Sequence, residues 1–371
     1  MRNAVGGVIV LGVSEKGGVA VDCPGVPLSD AEERRMRQVV ASGTAPYAEF
    51  DITPLIGSDQ GHGFYLLLAA PSPHRPHAVV KNESLGYPRR DGTLTRWLTE
   101  VEVADLYRDR FRGQADQLDR LARIGTEASD QIEADAPWLI VSAVPNHPGS
   151  VPISFAGQRQ AEQWMRTQHS AIDFIDGFIL PPAAAIAGVG VERYTITTNF
   201  DVGRLARSFY AECHVDGAAA AARRLNSAQG DGTVLDDALI IEAAKCLRLV
   251  GDHAVRTGAY SDAAVHLQLF GATMRLGYIR DGLVAHYNAG RPLTHVHSRH
   301  TIPLSALTGP PDQLFTAVRI MLSDIFNAFG RAEIPHIADD GALRLHYFRD
   351  PTLADWTQNT GVATSDEIVA E

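Results

Sequence analysis

Two hydrophobic periods alternate along this chain. Val8-Ile9-Val10-Leu11-Gly12-Val13 is an unbroken apolar run, the pattern of a strand buried on both faces, and Phe64-Tyr65-Leu66-Leu67-Leu68-Ala69-Ala70 is a second. Lys16-Gly17-Gly18 predicts a tight turn into a short strand over Val19–Val21, and Phe50–Leu55 reads as another strand. Ser29-Asp30 followed by Glu32 and Glu33 predicts a helix start, with Met36, Val39 and Val40 at helical spacing. Tyr87–Arg90, Asp91-Gly92 and Thr93–Trp97 predict strand, turn and exit towards a helix. Thr99 and Glu102 have the spacing of a capping box. Leu98, Val101, Val103, Leu106, Tyr107 and Phe111 supply that helix's apolar face.

Beyond a polar, mostly helical stretch from Gln114 to Ile132, a second half opens with the apolar Trp138–Val141 and a turn at Pro145–Gly149. The pattern predicts helices over Gly157–Phe174, Leu235–Thr257 and Pro311–Phe329. It predicts strands over Val191–Thr198, Arg207–Val215, Ala263–Phe270 and Leu293–Pro303, with a hairpin signal at Asp216-Gly217. The fold class expected is therefore α/β (α+β): an N-terminal mixed sheet with helices over residues 1–112, a helical linker over 113–136 and a second α+β domain over 137–358. A disordered polar tail is expected over 359–371.

With 371 residues, 45% of them hydrophobic, the chain can bury a substantial core. No segment approaches the roughly 20 apolar residues of a bilayer span, and no basic leader with a cleavage site opens the sequence. No membrane partner and a cytoplasmic location are expected. Cys23, Cys213 and Cys246 are widely scattered, which argues against a disulfide framework or a zinc knuckle. The net charge of −11 argues against a whole surface that grips nucleic acid. Its distribution is uneven: residues 1–112 hold 13 Lys and Arg against 14 Asp and Glu, leaving 20 against 30 for the rest. A basic face on the first half thus stays open, and the acidic second half is an expected contact for a basic protein partner.

Several chemistries are excluded or weakened. The three lysines precede Gly17, Asn82 and Cys246, so there is no Walker A motif to cradle a triphosphate. Gly6-Gly7 precedes its strand where a dinucleotide fingerprint would follow one. Neither GxSxG nor HExxH occurs. His295 and His297 alternate on a predicted strand and share a face, with His300 on the other, but no carboxylate lies beside them. No metal ligand set and no catalytic residue is assigned. The richest polar stretch runs from His74 to Trp97. Arg75, Lys81, Arg89, Arg90 and Arg96 outnumber Glu83 and Asp91 there, with Tyr87 and Trp97 interleaved. Guanidinium forks bind phosphate and aromatic faces stack bases, so these seven residues are the candidate nucleic-acid or nucleotide site. A solvated hairpin carrying ordinary arginines is the competing reading.

Asn3, Gly6-Gly7 and the Val8–Val13 run resemble the Asn-x-x-Gly-Gly-apolar-Gly-Val core of Schlafen AlbA-2 domains, also called divergent AAA or putative DNA-binding domains. The Gly63–Ala70 strand, Pro76, Tyr87-x-Arg89 and Gly92 resemble that family's later strand, proline and Tyr-x-Arg-x-Gly signature. The likeness covers roughly Met1–Phe111. It implies a bacterial regulatory protein that binds nucleic acid or a nucleotide; a homo-oligomer is a further partner considered for this chain. The family's first strand-helix element, with a Glu-Phe-Lys-like signature, does not precede Asn3, so the resemblance implies a shortened domain or a true start upstream of Met1. Of the acids that the RNA-cutting relatives use, only Glu15 lies nearby, and one carboxylate cannot hold two metals. No cofactor is expected, with ATP bound without a P-loop as a weaker alternative. The second reading is a non-catalytic interaction or scaffold protein with a degenerate AlbA-2 domain.

Overall fold

A computed structural model describes residues 3–4, 6–57, 61–69, 71–72, 74–81, 84–92, 94–167, 185–198, 209–225, 232–280, 282–287, 291–349 and 352–366. The end of the helix predicted to Phe174, the start of the strand predicted from Arg207, Glu83 and the last five residues lie outside them. The chain divides into two compact units, Met1–Asp116 and Gln117–Glu371. Both mix helices with strands, so the fold class is α/β as expected, with antiparallel pairing dominant.

In the first unit β1 (Gly7–Leu11) is followed by the hairpin β2 (Ser14–Lys16) and β3 (Val19–Asp22), then by β4 (Val26–Pro27). Gly17 and Gly18 take the positive φ that this turn needs. Helix α1 (Asp30–Gly43) starts where predicted, with the Ser29 side chain accepting from the Glu32 N–H. Next come β5 (Thr44–Ala45), β6 (Asp51–Ile56) and β7 (His62–Ala69), which is central and lies between β1 and β6. The short β8 (Ala78–Lys81) and β9 (Ser84–Gly86) precede the hairpin β10 (Pro88–Asp91) and β11 (Leu94–Trp97).

The expectation that Val8–Val13 is doubly buried fails. Val8, Ile9, Val10 and Leu11 are each between 37% and 49% exposed. The reason is that β1 is an edge strand, pairing only with β7 among the described residues, and its side chains stay partly open to water. Helix α1 buries none of its residues either, and Val39 is exposed. Among the described residues of this unit, the buried apolar side chains are Ala4, Tyr65, Pro76 and Ala78.

Helix α2 (Glu100–Ser129) opens on the predicted capping box: Thr99 N–H donates to Glu102 Oε2 (2.9 Å) and Glu102 N–H to Thr99 Oγ1 (3.4 Å). Residues 113–129, read as a linker, are the second half of this one helix. Leu121, Ile124, Gly125 and Ala128 are buried in the second unit, because at three- and four-residue spacing they form one apolar stripe that packs against a sheet.

That sheet has nine strands, beginning with β12 (Pro137–His147). After α3 (Phe155–Thr167) come β13 (Ala185–Gly190), β14 (Arg193–Thr198), β15 (Phe209–His214), β16 (Ala219–Arg224) and β17 (Thr233–Leu235). Helix α4 (Asp236–Arg256) leads to β18 (Tyr260–Arg280), β19 (Leu283–His286) and β20 (Leu293–Pro303). Then follow α5 (Leu304–Thr308), α6 (Pro311–Ala328) and α7 (Thr352–Thr360). The order is β13-β14-β15-β16-β12-β18, with β20 on the far side of the first half of β18, and β17 and β19 on its second half. Gly271, at φ +111°, lets β18 run on past β12: a Cβ there would stand 2.3 Å from the Ala136 carbonyl oxygen.

Both faces of this sheet are covered. Leu139, Val141, Ala211, Ala219, Ala221, Val265 and Leu267 point to α4, α5 and α6, where Leu247, Val318, Leu322 and Phe326 complete the larger core. Trp138, Ile140, Tyr210, Ala220 and Ala222 point the other way, to Leu121, Ile124 and Ala128 of α2. Strand β16 was not foreseen. Alanine favours helix, but here the run Ala218–Ala222 lies between two larger strands with helices above and below, where only a methyl fits. The expected frayed tail is likewise ordered up to residue 366. Val362 is buried, and Leu343 exchanges backbone hydrogen bonds with Ala363 and Ser365. Cys213 and Cys246 are buried thiols outside any disulfide, both pushed up to about 12 by burial, while Cys23 is exposed. No described helix is long and apolar enough to cross a membrane.

Because the described cores belong to the second unit, Phe326→Ala should cost about 3–5 kcal/mol in urea unfolding. Val10→Ala, at a half-exposed edge position, should stay within about 0.5 kcal/mol. Equal losses would contradict this distribution of packing.

Candidate functional site

The seven residues singled out between Arg75 and Trp97 share one neighbourhood of the first unit but do not form one basic face. In the β10–β11 ladder Arg89 stands opposite Arg96, and Arg90 opposite Thr95. Side chains alternate along a strand, so Arg89 and Arg96 point to one side of the ribbon, while Arg90 and Trp97 point to the other.

The first side is electrostatically satisfied. Arg96 Nε donates to Asp91 Oδ2 (2.8 Å), and its two terminal nitrogens donate to the two carboxylate oxygens of Glu102 (2.8 and 2.6 Å). Arg89 Nε lies 3.3 Å from Asp91 Oδ1. Thus two guanidinium groups meet two carboxylates. The fork from Arg96 and the N–H of Thr99 hold the Glu102 carboxyl down at about 2. Hydrogen bonding from Arg96, helped by Arg89, also holds the Asp91 carboxyl below its ordinary range. An incoming phosphate would have to displace carboxylates that are already bound.

The second side is open. Trp97 is 63% exposed, and its ring lies against Gly86, where a Cβ would stand 2.5 Å from the indole. Glycine at 86 therefore seats the ring and leaves its outer surface to solvent. Arg90 donates to Thr95 Oγ1 (3.2 Å) and, among the described residues, makes no ion pair; nor do Lys81 at the end of β8 and Arg75 on the loop before it. Tyr87 turns inward to the Tyr107 hydroxyl (3.4 Å), and this contact, with burial, raises its pKa.

Asn3 and His77 have a role that sequence reasoning missed. Asn3 Nδ2 donates to the carbonyls of His77 and Pro88 (both 2.8 Å), and its Oδ1 accepts from the His77 N–H (2.6 Å). The His77 ring donates through Nδ1 to the Pro46 carbonyl (2.9 Å) and lies 2.6 Å from Ser72 Oγ through Nε2. This buried hub ties the loop after Arg75 to the first residue of β10, so Asn3 positions the candidate site without being free to contact a ligand. The only advance signal was its place in the Asn-x-x-Gly-Gly pattern.

The histidines of β20 fall as their alternation predicts. His295 and His297 share the side that faces α2, while His300 faces α6, where Asp324 lies 3.0 Å from its Nε2. Among the described residues no set of three His, Cys, Asp or Glu is grouped to hold a metal ion. The chain matches no family model, no curated protein and no solved structure.

Glu102 gives a direct check on the ion network. Its folded-state pKa is depressed, so the network's support is complete above the ordinary carboxylate range and is lost as pH falls through about 2. Carboxyl NMR should place its midpoint there, and Arg96→Gln should raise it towards the ordinary range, with the Thr99 N–H still holding it below. A native midpoint already in the ordinary range would show that Arg96 stands free.

Proposed function

We propose that this is a self-assembling interaction protein with a degenerate AlbA-2-like unit, and that residues 1–116 complete their sheet on a second copy of the chain. The observation that carries this reading is the bare strand β1, an apolar edge with four successive half-exposed side chains. Edge strands that stay solitary are usually blunted by lysine, proline or a bulge, and Gly7-Val8-Ile9-Val10-Leu11 has none of these. It is also complementary to itself. Antiparallel pairing about a two-fold at Ile9 sets Val8 against Val10 and Ile9 against Ile9, which are β-branched cross-strand pairs. The neutralised arginines on one side of the β10–β11 hairpin also favour this class over a phosphate-binding surface.

Light scattering of the full chain should give twice the 40.1 kDa monomer mass. The double variant Val8→Lys and Val10→Lys should give the monomer mass with an unchanged far-UV spectrum. A wild-type monomer at tens of micromolar, or a dimer indifferent to both lysines, would remove the proposal.

One observation favours a second reading, contact with a single-stranded nucleic acid or a nucleotide: the open outer surface of Trp97 beside Arg90. Stacking on one aromatic side chain is worth about 1–3 kcal/mol per base. If this reading holds, an oligothymidylate should quench Trp97 fluorescence in a salt-dependent way. Trp97→Ala and Arg90→Glu should each weaken binding, and Arg89→Glu, on the other side of the ribbon, should change it far less. Equal effects of the two charge reversals would count against a Trp97-centred contact.

A further inference from the structure

Alongside α2, the second unit holds a cleft of about 520 Å³ over β18 and β20. This size suits a small-molecule ligand. The ladder fixes how its lining is ordered: Arg299 is opposite His266, His297 opposite Gln268, and His295 opposite Phe270. One end is therefore cationic and the other aromatic, with the Phe270 and His295 rings meeting edge to face at 6.5 Å.

The floor is polar, buried and unsatisfied. His266 is 4% exposed, and among the described residues neither of its ring nitrogens has a hydrogen-bond partner. Ser142, opposite it on β12, is wholly buried behind the cleft lining, and its hydroxyl also has none among the described residues. Buried polar atoms are nearly always bonded, and leaving one unpaired opposes folding. Helix α2 does not supply the missing partners. At its closest approach it presents Gly125, where even a Cβ would come within 3.2 Å of Ser142 Oγ and Gln268 Nε2. The absent side chain lets the α2 backbone pack close over Ser142 and Gln268, beside the cleft.

The electrostatics select the sign of the occupant. Every ionisable group lining the cleft is an imidazole or a guanidinium, and α2 contributes only the uncharged Ala122, Thr126 and Ser129. Burial first, then Arg299, His297 and His295, push His266 down to about 4, so it is neutral near pH 7 while the cleft is empty. A cation would meet Arg299 and too few converging ligands. An anion would relieve the repulsion among these groups and give His266 reason to take up a proton.

We infer that this cleft binds a small organic anion, a carboxylate or a phosphate ester with a planar apolar body. Its charged group is held by Arg299, His266 and His297, and its body lies towards Phe270. Nothing in this site depends on how the first unit assembles.

The test is calorimetry on the full chain with phenyl phosphate and with benzoate, at pH 6 and pH 8. Binding of either probe is expected, tighter at pH 6, with proton uptake visible as a buffer-dependent heat. Binding of the first alone assigns the phosphate ester, and of the second alone the carboxylate. Arg299→Gln and His266→Gln should each weaken binding at least tenfold. If either variant fails to fold, the Cε1–H resonances of His266 and His297 in the native chain should shift on adding the bound probe. The inference falls if neither probe binds, if binding is unmoved by Arg299→Gln, if the histidine resonances stay fixed, or if zinc binds while both anions do not.

Discussion

The packing of Leu121, Ile124 and Ala128 onto the β12–β16 face is the contact on which the second unit depends. A sheet with Trp138, Ile140 and Tyr210 on one side and Leu139, Val141 and Phe209 on the other cannot leave either side in water. Helices α4 to α6 close one side, and the later turns of α2 close the other. Closure by a helix constrains sequence on both partners. The sheet supplies alternate alanines in β16, and the helix supplies Gly125 and Ala128, so the layers approach closely there.

The first unit is built on the opposite principle. Its order comes from hydrogen bonds and charge: the Asn3–His77–Ser72 hub, the Ser29–Tyr65 pair and the Arg96–Asp91–Glu102 network. These fix local geometry, but exposed ion pairs contribute little net stability. Its apolar side chains are spread over a sheet that stays open.

Much of the second unit was legible in the sequence because its signals are local. Pro311 at a helix start, the Leu293–Pro303 alternation and the Asp216-Gly217 turn each specify an element without help from distant residues. Strand β16 was hidden because its conformation is imposed by neighbours that the alanines do not themselves encode. The burial of β1 was misjudged for a related reason. An apolar run says that a strand prefers cover, and it cannot say whether the same chain provides it. At the hairpin, the sequence listed the right charges but not their pairing. The five-residue step from Arg96 back to Asp91 and the six-residue step on to Glu102 bring the three together only once the hairpin has closed and α2 has begun. The histidine cleft was half visible: His295 and His297 stood out, but His266, on the strand expected over Ala263–Phe270, became part of the group only through the ladder.

The distribution of thiols has a practical side. Two of the three are sealed inside the larger unit with their reactivity suppressed, and the third, Cys23, lies in water on the link between β3 and β4. A maleimide dye would therefore attach at one place without engineering. Energy transfer between donor- and acceptor-labelled molecules would then follow the meeting of two first units in real time, in a chain that is otherwise unaltered.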